Sequence, residues 1–212
     1  MFMREFKIKE QSLDLQPAKA RIIARLIGDG CIYRSKYTIK YEVQDRESLS
    51  SFSRDVKDVY GLDVKYGSNL SGITGRPIPF VRLRSKKVYD DLMRYGTYDS
   101  YNWRIPSIVF KANKNVKKEF LRALFDDEGT VHPHKKIVKF YSVNLSGVMQ
   151  VQSLLQEFGI NSRIYLGYGC KRNVYGLVIV GEINLRKFAN EIGFGLERKM
   201  TKLSKIVNRK LH

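Results

Sequence analysis

The sequence has little that would staple, anchor or export it. It has two cysteines in 212 residues, Cys31 and Cys170. They are far apart and lack the close Cys/His spacing of a structural metal site, so no disulfide framework and no metal-thiolate centre is expected. Both read as reduced thiols of an intracellular protein. No apolar run approaches the roughly 20 residues that span a bilayer, which leaves no membrane partner. The opening Met1-Phe2-Met3-Arg4-Glu5-Phe6-Lys7 has no apolar core of a secretory signal. Histidine is scarce, and His132 and His134 have no third ligand or hydroxyl partner in the pattern, so they read as hairpin residues. Acidic residues are the most telling deficit. Asp+Glu number 21 against 39 Lys+Arg, a net charge of +18. The excess is spread along the chain, which predicts a binding surface for a polyanion. A hydrophobic fraction of 43% still provides for one large or two small cores.

What the sequence does have, it has twice. Ile22-Ile23-Ala24-Arg25-Leu26-Ile27-Gly28-Asp29-Gly30 is answered by Leu121-Arg122-Ala123-Leu124-Phe125-Asp126-Asp127-Glu128-Gly129. Each is an apolar helical stretch with a small third residue, closed by a carboxylate and Gly. Asp29 and Glu128 are 99 residues apart, Gly61 and Gly159 are 98 apart, and Gly96 and Gly193 are 97 apart. A duplicated half of small-domain size follows.

Within the first half, Pro17 suits the first turn of a helix that carries the first motif. A hairpin over 31–34 and 37–44, a helix Ser48–Tyr60, strands over 62–67 and 79–85 and a helix 86–94 follow by alternation and periodicity. The second half repeats the order: strands at 130–133 and 136–143, a helix 145–158, strands 160–166 and 173–180, and a helix 182–192. A further basic helix over about 196–209, with Arg198, Lys199, Lys202, Lys205, Arg209 and Lys210, reads first as a solvated charged face, with bracing of the body and phosphate contact as the alternatives. The expected organisation is an N-terminal arm 1–14, a first half 15–96, a connector 97–115 and a second half 116–212 that includes the C-terminal helix. In the connector Trp103 reads as a packing anchor.

The two nonamers, with Gln44-Asp45-Arg46-Glu47-Ser48-Leu49 and Leu83-Arg84-Ser85-Lys86-Lys87 as strand-to-helix junctions, resemble the LAGLIDADG homing endonucleases in their single-chain form. The resemblance implies an α+β fold of two pseudo-symmetric αββαββα halves. Each half would carry an antiparallel saddle-shaped sheet, and the two would join at the packed motif helices. It departs from the pattern at Arg25, usually aliphatic, at Ile27, usually acidic, and at Asp127, usually small.

The resemblance implies a site-specific double-strand DNA endonuclease, monomeric, with Asp29 and Glu128 as paired metal ligands. Two close carboxylates repel unless a cation lies between them, and Mg²⁺ takes one or two carboxylates plus water and phosphate oxygens. Mg²⁺ is the expected cofactor, with Mn²⁺ substituting and Ca²⁺ binding without supporting cleavage. Gly28 and Asp127 complete the metal-site expectation. Gln44 would order water at the scissile phosphate, and Arg84 or Lys86 would supply the assisting basic group. Gly30 and Gly129 would allow a sharp exit from each helix.

DNA contacts are expected from Lys40, Glu42, Arg82 and Arg84 in the first half and from Lys139, Tyr141, Arg163 and Tyr165 in the second. Arg34, Lys36, Arg76, Lys171 and Arg172 add loop contacts. The repeat leaves one ambiguity. A shift of 98 aligns Gln44 with Ser142 but sets inward-reading Tyr41 against Lys139, and a bulge in one strand would reconcile them. The same fold family includes RNA-intron maturases and non-cleaving DNA-binding regulators, so intron RNA stands as a second partner. A basic structural protein fits poorly, because it gains nothing from two clustered acids. The chain starts at Met1 and ends Lys210-Leu211-His212 without a terminal His-Asn, and so reads as a free-standing nuclease.

Overall fold

A computed structural model describes residues 15–167 and 173–208. The expected N-terminal arm, Cys170, Lys171, Arg172 and the end of the C-terminal tail lie outside the described residues. Pro17 opens helix α1 (Pro17–Ile27). Strands β1 (Gly30–Tyr33) and β2 (Thr38–Glu42) form a hairpin across one tight helical turn at Arg34–Lys36. Helix α2 (Arg46–Tyr60) starts at Asp45, whose carboxylate accepts from the Glu47 and Ser48 backbone N–H groups, and stops at Gly61 with φ 68°. Strands β3 (Lys65–Leu70) and β4 (Pro77–Arg84) and helix α3 (Lys86–Met93) complete the first half. A short helix α4 (Ser107–Lys111), absent from the sequence reading, sits in the connector.

The order then repeats: α5 (Lys114–Glu128), β5 (Gly129–His132), β6 (Ile137–Ser142), α6 (Leu145–Gln156), β7 (Arg163–Tyr165), β8 (Tyr175–Val180) and α7 (Glu182–Glu191), with α8 (Glu197–Val207) added. Two antiparallel sheets result, ordered β1-β2-β4-β3 and β5-β6-β8-β7. The fold is α+β in two like halves.

Alternation decides what each sheet buries. Ile39, Tyr41, Val81 and Leu83 in the first, and Val138, Phe140, Leu177 and Ile179 in the second, point to the helices and are buried. Tyr41 stacks on Phe52 of α2 at 5.0 Å, and Phe125 of α5 packs on Phe140 and Phe188. The opposite faces carry the polar set. Leu62 and Val64 mimic a strand by alternation, yet β3 pairs with β4 only from Lys65 onward.

The register settles the ambiguity of the repeat without a bulge. Gly30 faces Tyr41 and Gly129 faces Phe140, and the helix N-caps Asp45 and Asn144 stand the same 99 residues apart as the two acids. Tyr41 therefore matches Phe140, both inward, and Lys40 matches Lys139, both on open faces. The shift falls to 98 only after the long helix of each half, where Gly61 and Gly159 both adopt positive φ. The counterpart of Gln44 is thus Val143, which corrects the expected Ser142.

Candidate active site between the two halves

The site is built where α1 and α5 lie side by side. Ala24 and Ala123, the small third residues, are fully buried in this seam. At its end Gly28 meets Asp127. A Cβ on Gly28 would lie 2.9 Å from both the Cβ and the Oδ2 of Asp127, so the missing side chain on one helix makes room for the extra one on the other. Gly30 and Gly129 are required by close approach rather than by an unusual φ. A Cβ at Gly30 would fall 2.6 Å from Leu26 Cα, and one at Gly129 would fall 2.4 Å from the Phe125 carbonyl oxygen. Each strand thereby turns back tightly against its own helix and leaves the preceding acid at the junction.

Asp29 follows the end of α1, and Glu128 is the last residue of α5. Among the described residues neither carboxylate has a hydrogen-bonding or ion-pairing partner. Burial first, and then the neighbouring Asp29 charge, push Glu128 up to about 7. Asp29 is exposed to solvent; the protein packed around it still raises it, and the Lys199 and Arg25 charges oppose the rise. The repulsion between the two acids thus falls on Glu128, while Asp29 is favoured by the cations beside it.

Asp127 does something else. Its side chain is 1% exposed. Its Oδ1 accepts from the Tyr41 hydroxyl at 2.6 Å and the Arg25 guanidinium at 3.3 Å, and Arg25 also donates to the Tyr41 hydroxyl at 2.9 Å. Burial holds the carboxyl well above the usual range. Asp127 is a buried cross-half contact, which corrects its reading as a metal ligand. Asp126 is also enclosed: its carboxylate accepts from the backbone N–H groups of Gly195 and Leu196, just before α8. A turn higher, Arg21 of α1 bridges Asp55 of α2 and Glu119 of α5.

Lys199 is the residue the sequence reading missed. Its ammonium donates to the carbonyl oxygens of Phe125, Asp126 and Gly129 at 3.2, 2.5 and 2.5 Å. Two of these carbonyls close α5 and the third opens β5, and the Phe125 oxygen also accepts from the Gly129 N–H; a cation there meets the negative pole of the helix. The signal was present in the pattern, because Lys199, Leu203 and Val207 recur every fourth residue and are the buried residues of α8. That helix is a brace rather than a wholly solvated face. Its Arg198 donates to Asp45 at 2.9 Å. In the other direction, Arg104 of the connector donates to Asn144 at 3.2 Å. Each long-helix N-cap is thus clasped by an arginine from beyond the other half. Trp103 is buried over Gly147, where a Cβ would come within 2.4 Å of the ring.

Gln44 lies at the same end of the first sheet as Asp29 and donates to the Pro77 carbonyl at 3.3 Å. Arg84 and Lys86 do not approach the acids. Arg84 pairs with Thr38 at the hairpin end, three residues along the sheet from the Tyr41–Val81 pairing beside Gly30, about 10 Å of strand. Lys86 is ion-paired with Asp90 at 2.6 Å and lies over the Tyr37 ring. The expected catalytic role is corrected for both. The sheet residues Lys40, Glu42, Arg82 and Arg84 share one open face, and Lys139, Tyr141, Arg163 and Tyr165 share the other. Arg34, Lys36 and Arg76 are exposed in loops at the rim of the first face. His132 sits at the end of β5 and His134 in the turn that follows.

Residues 115–193 match a family model described as a LAGLIDADG-like domain. The fold over most of the chain is that of I-DmoI in complex with DNA and Mn, with a TM-score of 0.60 at 15% identity over 92% of this chain and 98% of that one. It is also that of the homing endonuclease I-WcaI bound to its DNA recognition sequence, with a TM-score of 0.65 at 15% identity over 92% and 89%. Structures of I-DmoI with target DNA and Mg, and with DNA and Ca, share it as well. A curated relative, the probable translation initiation factor IF-2 of Methanocaldococcus jannaschii, is 30% identical over 87% of this chain. The chain spans 16% of the length of that protein, and 12% of the length of a DNA polymerase of Thermococcus sp. (strain GE8) to which it is 28% identical.

Proposed function

We propose, for a chain that carries a LAGLIDADG-like domain and the two-motif single-chain fold of homing endonucleases, that it is a site-specific double-strand DNA endonuclease. It would hydrolyse phosphodiesters with a divalent metal held by Asp29 and Glu128. The observation that carries this reading is the pair itself: two carboxylates with no partner among the described residues, raised by the protein packed around them and, at Glu128, by the neighbouring charge, beside two open sheet faces of which the first carries Lys40, Arg82 and Arg84 and the second Arg163. A pair of this kind fits a hard, oxygen-seeking cation such as Mg²⁺, Ca²⁺ or Mn²⁺ better than a metal that prefers thiolate or imidazole, and no cluster of three or more His, Cys, Asp or Glu competes for one among the described residues. The chemistry a bound Mg²⁺ or Mn²⁺ would supply is activation of a water and stabilisation of the leaving oxygen. Ca²⁺ would bind without supporting cleavage.

The remaining roles fall to the chain. Asp29 and Glu128 would hold the cation, one from each half. Lys199 fixes the end of α5, and hence Glu128, and leaves positive charge beside both acids. Gln44 stands at the acids' end of the first sheet and Val143 in the matching place of the second, so the two strands of a target would meet unlike surroundings. The sheets hold the duplex through phosphate contacts.

The test incubates wild type, Asp29→Asn and Glu128→Gln with Mg²⁺ and a plasmid library of candidate sites. Wild type should linearise a discrete subset, and both variants should retain binding and lose cutting. Binding to a selected duplex without cutting in any metal would replace the nuclease by a DNA-binding regulator. Tighter binding to an intron RNA than to any duplex would favour a maturase.

A further inference from the structure

The two open sheet faces are equivalent in backbone and unlike in chemistry. The register gives three rows that match between the halves, with a further row, Ile78 and Asn69, beyond them in the first. Nearest the acids, Glu42, Phe80 and Gly67 form a row in the first half, and Tyr141, Gly176 and Tyr165 form it in the second. The middle rows are Cys31, Lys40, Arg82 and Lys65 against Thr130, Lys139, Val178 and Arg163. The outer rows are Tyr33, Thr38 and Arg84 against His132, Ile137 and Val180. On the fourth strand of each half, Phe80, Arg82 and Arg84 are thus replaced by Gly176, Val178 and Val180.

The first face is a wired polar surface. Phe80 lies against Gly67, where a Cβ would come within 2.5 Å of the ring. The Lys40 ammonium and the Arg82 guanidinium sit over that ring at 4.5 and 5.8 Å. Glu42 accepts from Lys40 and from Asn69. Arg84 is exposed at the outer end. The second face ends instead in Val180, 37% exposed, beside half-buried Ile137. No Lys, Arg, Asp or Glu stands in that outer row.

We infer that the two halves of the DNA target are read by different chemistries. Arg84 and Arg82 select guanine in the half-site under the first sheet, and Val180 with Ile137 selects thymine at the outer position of the half-site under the second. The physical basis is the major-groove code. A guanidinium matches guanine O6 and N7 with two hydrogen bonds, whereas an aliphatic side chain finds favourable contact there only with the thymine methyl. This assignment rests on the DNA-binding reading above and fixes what the target contains. Arg84, freed from a catalytic role by its distance from the acids, acquires a reading role.

The test is a binding selection from a randomised duplex library in Ca²⁺, which needs no cleavage. It uses the 212-residue chain, Arg84→Ala and Val180→Arg, both changes being on exposed side chains, with melting curves to confirm folding. Wild type should enrich an asymmetric site with guanine at the outer position of one half and thymine at the matching position of the other. Arg84→Ala should relax the guanine preference about ten- to hundredfold and leave the other half unchanged. Val180→Arg should convert thymine to guanine in the second half alone. Equal preferences in the two halves, or a folded and binding Val180→Arg with an unchanged profile, would overturn the assignment. Failure of wild type to enrich any duplex would take down the DNA-binding reading together with it.

Discussion

At Glu128 the desolvation that readies a carboxylate for a cation also works against the fold. The group is raised from 4.5 to about 7, so the folded state binds its proton more tightly than the unfolded chain does. Its favourable contribution is complete below pH 4.5 and is lost as pH rises through about 7. Glu128→Gln removes the titration. In chelator at about pH 8 the variant should be more stable than wild type by about 2 kcal/mol, allowing for solvent screening, and the gap should close near about pH 4. Added Mg²⁺ or Ca²⁺ should raise the melting temperature of wild type and leave Glu128→Gln nearly unmoved. Urea titrations at both pH values, with and without metal, test this. Lys199 makes the opposite demonstration. Lys199→Met keeps the stem but takes the ammonium from three carbonyl groups, of which Phe125 keeps the Gly129 N–H, and it should destabilise by about 1–3 kcal/mol. The two acids were legible in the sequence because each precedes a Gly at the end of an apolar helix. Lys199 was obscured because five other cations share its segment, and only its four-residue spacing from Leu203 and Val207 tells which one turns inward.

Between elements, the seam of α1 and α5 is written in opposite charges. α1 contributes Arg21 and Arg25, and α5 contributes Glu119, Asp126 and Asp127. Such a seam pairs one half with the other and disfavours pairing of α1 with a second α1. A buried pair of this kind is costly to break and less costly to replace as a whole. Arg25→Leu alone should destabilise by about 3–5 kcal/mol. Combined with Asp127→Ala, which restores the aliphatic and small residues usual at these places, most of that loss should return. A denaturation cycle over the four proteins tests this, and strict additivity would refute the coupling. Tyr41→Phe, which keeps the stack on Phe52, should lose about 1 kcal/mol. The sequence showed Arg25 and Asp127 as departures without showing that they meet, because they are 102 residues apart and the contact exists only once both helices are packed. The 98-residue shift misled for a related reason. It belongs to the ends of the long helices, where one residue has been lost, whereas the site's own landmarks keep 99.

For the whole molecule, a charge of +18 matters through where it is placed. Many acids are consumed inside. Asp126 and Asp127 are enclosed at the seam, and Asp55 and Asp91 are paired with Arg21 and Lys19. Lys40, Arg82, Arg84 and Arg163 lie on the open faces and Arg34, Lys36 and Arg76 at the rim of one. A duplex lying along both sheets would displace condensed counterions at each phosphate contact, so the logarithm of affinity should fall linearly with the logarithm of salt, at about 0.9 per phosphate neutralised. With about six to ten such contacts, affinity should drop about 10³- to 10⁵-fold between roughly 50 and 200 mM salt. Substitutions then separate by type. Lys36→Ala, at the rim, should weaken all duplexes alike and lower the slope by about one. Arg84→Ala should weaken the cognate duplex in particular. Asp29→Asn removes a negative charge facing the phosphates, so it should bind at least as tightly as wild type in the absence of metal while cutting nothing. Fluorescence anisotropy over a salt series, on cognate and scrambled duplexes, distinguishes the three. A slope near zero for wild type would mean that the open faces do not carry the DNA backbone.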